Sequence, residues 1–423
     1  MKNKVWNPGW ESRSERELMS GTQWLLIFFQ LIAILLVFLF QIQSVNRQTL
    51  MFGGGLLLGS ALSILVMRRI SRGDHYLLLI ANMIFSIGVI MIYRIKPALG
   101  ARQLLIYLFC LAAYFFVYLF LRKTSSFWQG HIWFYFGITI ALFLMTLVLG
   151  TVYHGAKNWV EIAGISIQPS EFAKIPFVFF MAAWYRDYER FQKNLPGKIS
   201  LMLCVYLMIG LFFLQRELGT AVVFFIVLIA SQVAFEPNKK IIVLNFILAV
   251  LGMVAAYFLF SHVRVRFSIW KDPWADFNNK GYQIIQSLFA IAEGGFFGTG
   301  IGLGKPEHIP LGYSDFIFSS IVEEMGGFMG ICVILLFVLL LYRGIKIAMR
   351  QENDFYSVLA VAISVLFSAQ ALIMFGGVMK IIPLTGITVP FLTYGGSSLL
   401  STFILLAVLQ VSSEDLTIRR QNL

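Results

Sequence analysis

Apolar runs close to twenty residues long recur along most of the chain, broken by short polar segments. They predict twelve helices, at about 22–42, 49–67, 75–93, 103–121, 131–150, 169–185, 199–214, 218–235, 241–260, 316–342, 355–379 and 388–411. A helix needs about 20 apolar residues to cross the roughly 30 Å hydrocarbon core of a bilayer, so the pattern predicts an all-α polytopic membrane protein. Two runs fit less well: 199–214 is short, and 169–185 carries Glu171 and Lys174. The polar ends at 1–21 and 412–423 read as tails, and one polar stretch, 261–314, is long. No internal repeat, low-complexity segment or separate soluble domain interrupts the pattern.

Composition agrees with this. Charged residues are 13% of the chain, against roughly 25% in soluble domains. The net charge of +12 sits in short loops between apolar runs. That argues for topology and lipid headgroup contact, and against nucleic acid. The three cysteines, Cys110, Cys204 and Cys332, lie inside apolar runs and suggest no metal site or disulfide framework. The first apolar run has no small-residue cleavage site after it and reads as a retained span.

Basic residues orient the bundle. With the N-terminus inside, cytoplasmic loops hold Arg68, Arg69, Arg72, Arg122, Lys123, Arg186, Arg190, Lys193, Lys198, Lys239, Lys240, Arg343, Lys346 and Arg350, and the tail adds Arg419 and Arg420. External loops hold Arg47, Lys157, Arg216 and Lys380, with 94–102 (Arg94, Lys96, Arg102) as the exception. The bias predicts both termini inside and the 261–314 loop outside.

Five polar segments then require a reason. Gly155–Val160 and Gln168–Lys174 place Pro169 and Glu171 in a helix's first turn, with Lys174 spaced i, i+3 for an ion pair. This is either a local helix start or the charged wall of a cavity. Gln215–Thr220 reads as a tight turn. The long loop opens with Arg264 and Arg266, predicts a short amphipathic helix over 283–292 that includes Gln286, and then runs through a glycine-rich stretch, Glu293–Gly304. Those glycines would let backbone approach a ligand and turn N–H groups toward anions. No Gly-Lys-Ser/Thr follows, so a Walker-type loop is excluded. Asp315 either caps the next helix or serves chemistry. Glu323 lies eight residues on, about 80° round and about 12 Å deeper on a regular helix. Ionised groups at membrane depth cost roughly 2.5–3.5 kcal/mol on insertion scales, so Asp315, Glu323 and Glu324 are functional candidates. The fifth segment, 383–398, breaks an apolar region with two prolines and three glycines. Such backbone survives at membrane depth only when buried in protein or lining a cavity.

Together these segments resemble the SEDS (shape, elongation, division and sporulation) family of FtsW, RodA and SpoVE proteins. The family pattern Gly-Ala-x-x-Trp…Gln-Pro-Ser-Glu-x-x-Lys falls at 155–174, Gly-Tyr-Gln…Gly-Gly…Gly at 281–300, Asp-Phe-Ile-Phe…Glu-Glu-x-Gly at 315–326, and Pro-x-Thr-Gly…Pro-Phe-x-x-Tyr-Gly-Gly-Ser-Ser at 383–398. The resemblance implies a ten-helix membrane domain over 75–411, preceded by two extra spans within 22–74. It implies a peptidoglycan glycosyltransferase that polymerises lipid II into a growing glycan strand on the external face, beside a class B penicillin-binding protein that cross-links it. Asp315 takes the place of the family's proposed catalytic residue, and Trp159, Glu171 and Lys174 match its substrate-binding positions. Arg264, Arg266, Gln286 and Ser397 join them as substrate-binding candidates, and Glu323, Glu324 and Tyr394 as cavity-lining ones. A divalent cation, magnesium or manganese, would assist a diphosphate leaving group, though no ligand cluster marks a site for one. Departures mark a divergent branch: Leu311 where family members often carry Glu, Arg216-Glu217 in place of Pro-Asp, and Met374 in place of Asn. A flippase for the same precursor, or a non-catalytic scaffold of a cell-wall synthase, would have a similar body. The clustering of polar motifs toward one face favours the polymerase.

Overall fold

Every apolar run forms a helix in the computed structural model, which describes residues 13–40, 47–153, 156–162, 164–192, 195–277, 279 and 281–414. The expectations for residues 1–12, Gly155, Arg419 and Arg420 lie outside the described residues. In chain order the helices are α1 (Arg13–Phe40), α2 (Arg47–Ile70), α3 (Tyr76–Ile95), α4 (Pro97–Lys123), α5 (Ile132–Leu149), α6 (Pro169–Arg186), α7 (Tyr188–Gln192), α8 (Leu195–Gln215), α9 (Leu218–Phe235), α10 (Lys239–Leu259), α11 (Ser261–Lys271), α12 (Tyr282–Gly294), α13 (Ile317–Arg350), α14 (Asp354–Val378) and α15 (Gly396–Ser412). Among the described residues nine are long and apolar enough to cross a membrane, and α8 and α15 are apolar over shorter lengths. The chain is a multi-pass membrane protein.

Beyond the short helices α7 and α11, which the sequence pattern did not predict, a sheet also was not expected. Strands β1 (Thr151–Tyr153), β2 (Ala156–Ile162) and β3 (Ile165–Ile167) form an antiparallel sheet between α5 and α6. Gly164 turns β2 into β3 at a φ of 78°, a left-handed conformation that glycine adopts without a Cβ penalty. Val160 pairs with Ile167 and is buried, while the next residue, Glu161, is exposed. The alternation is real but too short to stand out from the flanking apolar runs.

The 94–102 exception also resolves. It is hardly a loop: Lys96 alone, extended at φ −143°, separates α3 from α4, and Pro97 opens α4 where its missing N–H costs nothing. Arg94 therefore belongs to α3 and Arg102 to α4.

The core lies around α3 and α14, each with 89% of its apolar window buried. α14 packs against α6, α9, α13 and α15, and α15 packs in turn on α4. α1 and α2 join α3 and α4 through buried polar contacts. Gln30 donates to Ser86 at 2.7 Å, Ser60 to Gln30 at 3.0 Å, Asn82 to Ser63 at 3.0 Å and Tyr107 to Asn82 at 3.0 Å. Interhelical hydrogen bonds of this kind average about 0.6 kcal/mol in a membrane, so they fix partner and register more than they bind. α10 stands apart, packed on α9 and α11 with only 11% of its window buried. Asn245 fastens it, donating to Gln232 at 2.7 Å and accepting from Tyr206 at 3.0 Å.

α13 runs the height of the bundle, so Asp315 and Arg343 mark opposite ends. At the Arg343 end the charges are enclosed and paired. Arg343 binds Asp74 at 2.6 Å and lies over the Tyr76 ring at 4.5 Å. Glu414 binds Arg122 at 2.8 Å and accepts from Ser71 at 2.7 Å and from Tyr118.

Candidate active site

The opposite end is organised by the irregular segment between α14 and α15. The expected helix start at 388 is displaced to Gly396, because residues 380–395 run without regular structure. Their backbone groups are held from many sides. Arg266 of α11 donates from Nη1 to the carbonyls of Leu384 (3.2 Å) and Thr385 (2.7 Å). Trp270, one turn on, donates to the Lys380 carbonyl at 3.1 Å. Buried Gln103 of α4 donates to the Thr393 carbonyl at 3.3 Å and accepts from the Gly395 N–H at 3.3 Å. The Tyr394 N–H donates to the Tyr313 carbonyl at 3.1 Å. This last bond ties the segment to the turn that carries Asp315.

That turn is tight. Leu311 takes a left-handed φ of 57°, and its carbonyl accepts from the N–H groups of Ser314 (2.9 Å) and Phe316 (3.2 Å). Phe316, not Asp315, occupies the N-cap position of α13. The capping role therefore falls away, and Asp315 sits half-buried just outside the helix. It faces Gly386: a Cβ built there would lie 3.5 Å from Asp315 Oδ2. Gly386 itself has a φ of 66°. Arg266 stands close enough to feel Asp315. Burial pulls the guanidinium below its ordinary value, and the Asp315 charge partly restores it. Lys96 adds a second cation nearby, 4.6 Å above the Tyr313 ring.

Glu171 and Lys174 touch the same segment from below, but both are enclosed, at 4% and 2% exposure. Lys174 gives its ammonium to Glu171 Oε2 at 2.7 Å. Glu171 also accepts from Thr388 at 3.2 Å and from Ser401 at 3.3 Å. Of the two sequence readings, a local pair and a cavity wall, the structure builds the first, braced against α15. Ser397 is nearby, accepting from the Gln168 N–H at 3.4 Å. Glu217 completes this layer by accepting from Gln168 at 2.9 Å. Its carboxyl is pushed up by burial, then held back by Gln168, Ser170 and Asn158, and raised again by the Glu171 charge.

Glu323 and Glu324, the cavity-lining candidates, buckle the glycine-rich loop to α13. Glu323 accepts from the Lys305 N–H at 2.6 Å and Glu324 from the Gly302 N–H at 3.1 Å, while Arg94 of α3 pairs with Glu324 at 3.2 Å. Their own carbonyls accept from Thr299 (2.9 Å) and Gly300 (3.0 Å). α13 kinks at Gly326, φ 83°, where the loop docks, and a Cβ on Gly298 would lie 2.4 Å from the Glu324 carbonyl oxygen. The glycines do admit close backbone and aim N–H groups at anions, but the anions are the chain's own.

The remaining candidates scatter. Tyr394 lies against Tyr313, ring centroids 6.0 Å apart. Trp159 is half-buried on β2, Arg264 is exposed on α11, and Gln286 is half-buried on α12. Its neighbour Ser287 makes the bonds there, to Ser319 at 2.6 Å and to the Val378 carbonyl at 3.3 Å. Arg94 and Lys96 stood in the sequence only as an exception to the charge bias, and Gln103 was not singled out. A lone Gln opening an apolar run was the available signal. Among the described residues no group of three or more His, Cys, Asp or Glu side chains gathers to hold a metal ion.

Comparison with known proteins places this geometry. The family model for FtsW/RodA/SpoVE, described as cell cycle protein, matches residues 74–417. The peptidoglycan glycosyltransferase RodA of Mycobacterium tuberculosis is 36% identical over 268 residues, covering 60% of this chain and 57% of that protein. The chain thus spans little more than half of that relative's length. Stage V sporulation protein E of Bacillus subtilis is 32% identical over 358 residues, covering 79% of this chain and 94% of its own. The fold is similar to that in a solved peptidoglycan synthase complex that coordinates polymerization and crosslinking, with a TM-score of 0.67, 24% identity, and coverage of 80% of this chain and 97% of that one. The crystal structure of Thermus thermophilus RodA, the rod shape determining protein, gives a TM-score of 0.59 at 21% identity, with coverage of 81% and 97%.

Proposed function

The chain belongs to the FtsW/RodA/SpoVE family, and from that premise we propose that it is a peptidoglycan glycosyltransferase that polymerises lipid II, with Asp315 as general base. The observation that carries the reading is the setting of Asp315: half-buried beside a glycine that offers no side chain, with Arg266 close by. Asp315 takes the proton from the 4-hydroxyl of the acceptor sugar as its oxygen attacks the donor's anomeric carbon. The new glycosidic bond forms as the bond to the phosphate oxygen breaks, and the lipid diphosphate leaves with the electron pair. The anomeric centre inverts. A diphosphate is already a good leaving group, so neutralising its charge matters more than protonating it.

Glu171 and Lys174 support the floor of this site rather than touching substrate. The site faces outward in this reading, because Arg72, Arg122 and Arg343 gather at the opposite end, as the positive-inside rule asks of a cytoplasmic face. A class B penicillin-binding protein stands beside the chain as transpeptidase, by likeness to the solved synthase complex.

The test is purified protein with lipid II, with and without the transpeptidase, resolved for glycan on a gel. Wild type yields polymer and Asp315→Ala yields none while remaining folded and membrane-inserted. Polymer from Asp315→Ala at the wild-type rate would overturn the assignment.

A further inference from the structure

Glu217 is a buried carboxylate, 8% exposed, and its charge is not cancelled by a neighbour. Asp74, Glu171, Glu324 and Glu414 are as enclosed, and each holds a basic partner: Arg343, Lys174, Arg94 and Arg122. Among the described residues Glu217 has none. An ionised group taken out of water must be paired or bound to a metal ion to be tolerated. Nor is the charge spent on its own helix. Glu217 occupies the N-cap position of α9, yet its side chain makes no capping bond. It turns instead toward the start of α6, where Gln168 donates to Oε1 at 2.9 Å.

Ser170, in the first turn of α6, and Asn158, on β2, stand beside the same carboxylate. Glu217 Oε2, Ser170 Oγ and Asn158 Oδ1 are all buried without a hydrogen-bond partner. Such atoms are uncommon in a folded chain. Here all are oxygens, and they come from separate elements. A carboxylate oxygen and an amide oxygen only accept, and the single hydroxyl hydrogen of Ser170 cannot serve both. A hard cation is the ligand that oxygens of these kinds share. Charge then selects its valence. Glu171 lies close enough to act on Glu217, but Lys174 cancels Glu171, so one negative charge is left over. A monovalent cation neutralises it, whereas a divalent one would leave a buried positive excess.

We propose that Glu217, Ser170 and Asn158 bind a sodium ion that pins β2 and the starts of α6 and α9 to one another. Asn158 is half-buried at the outer edge of the site and gives the ion its way in. The ion braces what lies above it. The Gln168 N–H donates to Ser397 at 3.4 Å, and Gly219 of α9 abuts the irregular segment so closely that a Cβ there would lie 2.9 Å from the Thr385 Cβ. The site is structural and stands apart from the polymerase reading.

Thermal unfolding of the full-length protein in detergent at pH 7 tests the site without requiring turnover. Sodium chloride replaces choline chloride stepwise at constant ionic strength, so general screening does not change. The wild-type midpoint rises and saturates, by about 3 °C or more. Glu217→Gln keeps the shape of the side chain and removes the charge. It lies slightly above wild type in choline, does not respond to sodium, and is overtaken by wild type as sodium is added. Ser170→Ala responds only at about tenfold higher sodium. Glu161→Gln, an equal loss of charge at an exposed position on β2, responds as wild type does. A wild-type midpoint indifferent to sodium would overturn the site, leaving a protonated carboxyl or a buried water among these oxygens. An undiminished sodium response in Glu217→Gln would overturn it as well. Saturation by micromolar calcium with no response to sodium would overturn the monovalent assignment.

Discussion

Asp315 and Glu171 are two carboxylates that meet the same irregular segment, 380–395 and the start of α15, yet they are treated in opposite ways. Glu171 is enclosed and its oxygens are taken up by Lys174, Thr388 and Ser401. Asp315 is half-buried, sits outside its helix, and looks toward a residue with no side chain. A buried carboxylate must be paired and hydrogen-bonded to be tolerated, and once it is, it has nothing left to offer a substrate. A half-exposed one can be reached by a substrate hydroxyl. In the proposed reading, the difference divides architecture from chemistry within one end of the bundle.

The largest effect expected from this division is on Asp315. Asp315→Asn keeps the shape of the side chain and removes the base, so polymerisation of lipid II falls by about 10²–10⁴-fold while thermal unfolding in detergent is unchanged. A loss of stability equal to the loss of activity would erase the contrast. Glu171→Ala works the other way. It leaves Lys174 buried without its counter-charge, at a cost of about 3–5 kcal/mol, and the fall in unfolding midpoint precedes any loss of chemistry. The double variant Glu171→Leu with Lys174→Met recovers most of that stability, as replacing a whole buried pair does. No equivalent double change at Asp315 and Arg266 restores activity.

Gly386→Ala is a finer probe. The added methyl has room beside Asp315, but it must adopt a φ of 66°. The left-handed region costs a non-glycine residue about 1–2 kcal/mol, read as a lowered midpoint with a smaller drop in rate. Glu217→Gln gives the smallest change, and its sign is the informative part. The folded-state carboxyl is raised, chiefly by burial. As pH climbs past 4.5 the unfolded chain ionises first, and stability declines until the folded carboxyl ionises too. The amide variant does not titrate, so its midpoint lies slightly above wild type at pH 7 and the two converge below pH 4.5.

Much of the molecule could be read from the sequence, and the rest was hidden for identifiable reasons. The positions of the long helices came from run length, because lipid imposes one span length on every crossing. The position of Asp315 at the mouth of α13 followed from the same pattern. The sheet at 151–167 was missed because three-residue strands carry too little alternation to stand out. Lys174 read either as half of a local pair or as a wall residue, because its spacing from Glu171 predicts a pair but not the closure of α15 over it. The loop contacts of Glu323 and Glu324 were the least legible. Helical phase placed them under Asp315, but Asp315 lies outside the helix, and the loop that reaches back to them arrives from twenty residues upstream. Sequence spacing within one helix cannot show a contact made by backbone N–H groups from elsewhere.

The buckle between Glu323, Glu324 and residues 294–305 has a consequence for timing. A glycine-rich loop left to find its ligand would be ordered anew at each binding event. At about 1 kcal/mol per residue, immobilising a dozen such residues would subtract on the order of 10 kcal/mol from substrate affinity. Here the loop carries its counter-ions in its own chain and is ordered once, during folding. The stretch leading on to Asp315 is therefore preorganised before any ligand arrives, and in the proposed reaction turnover starts from a fixed frame.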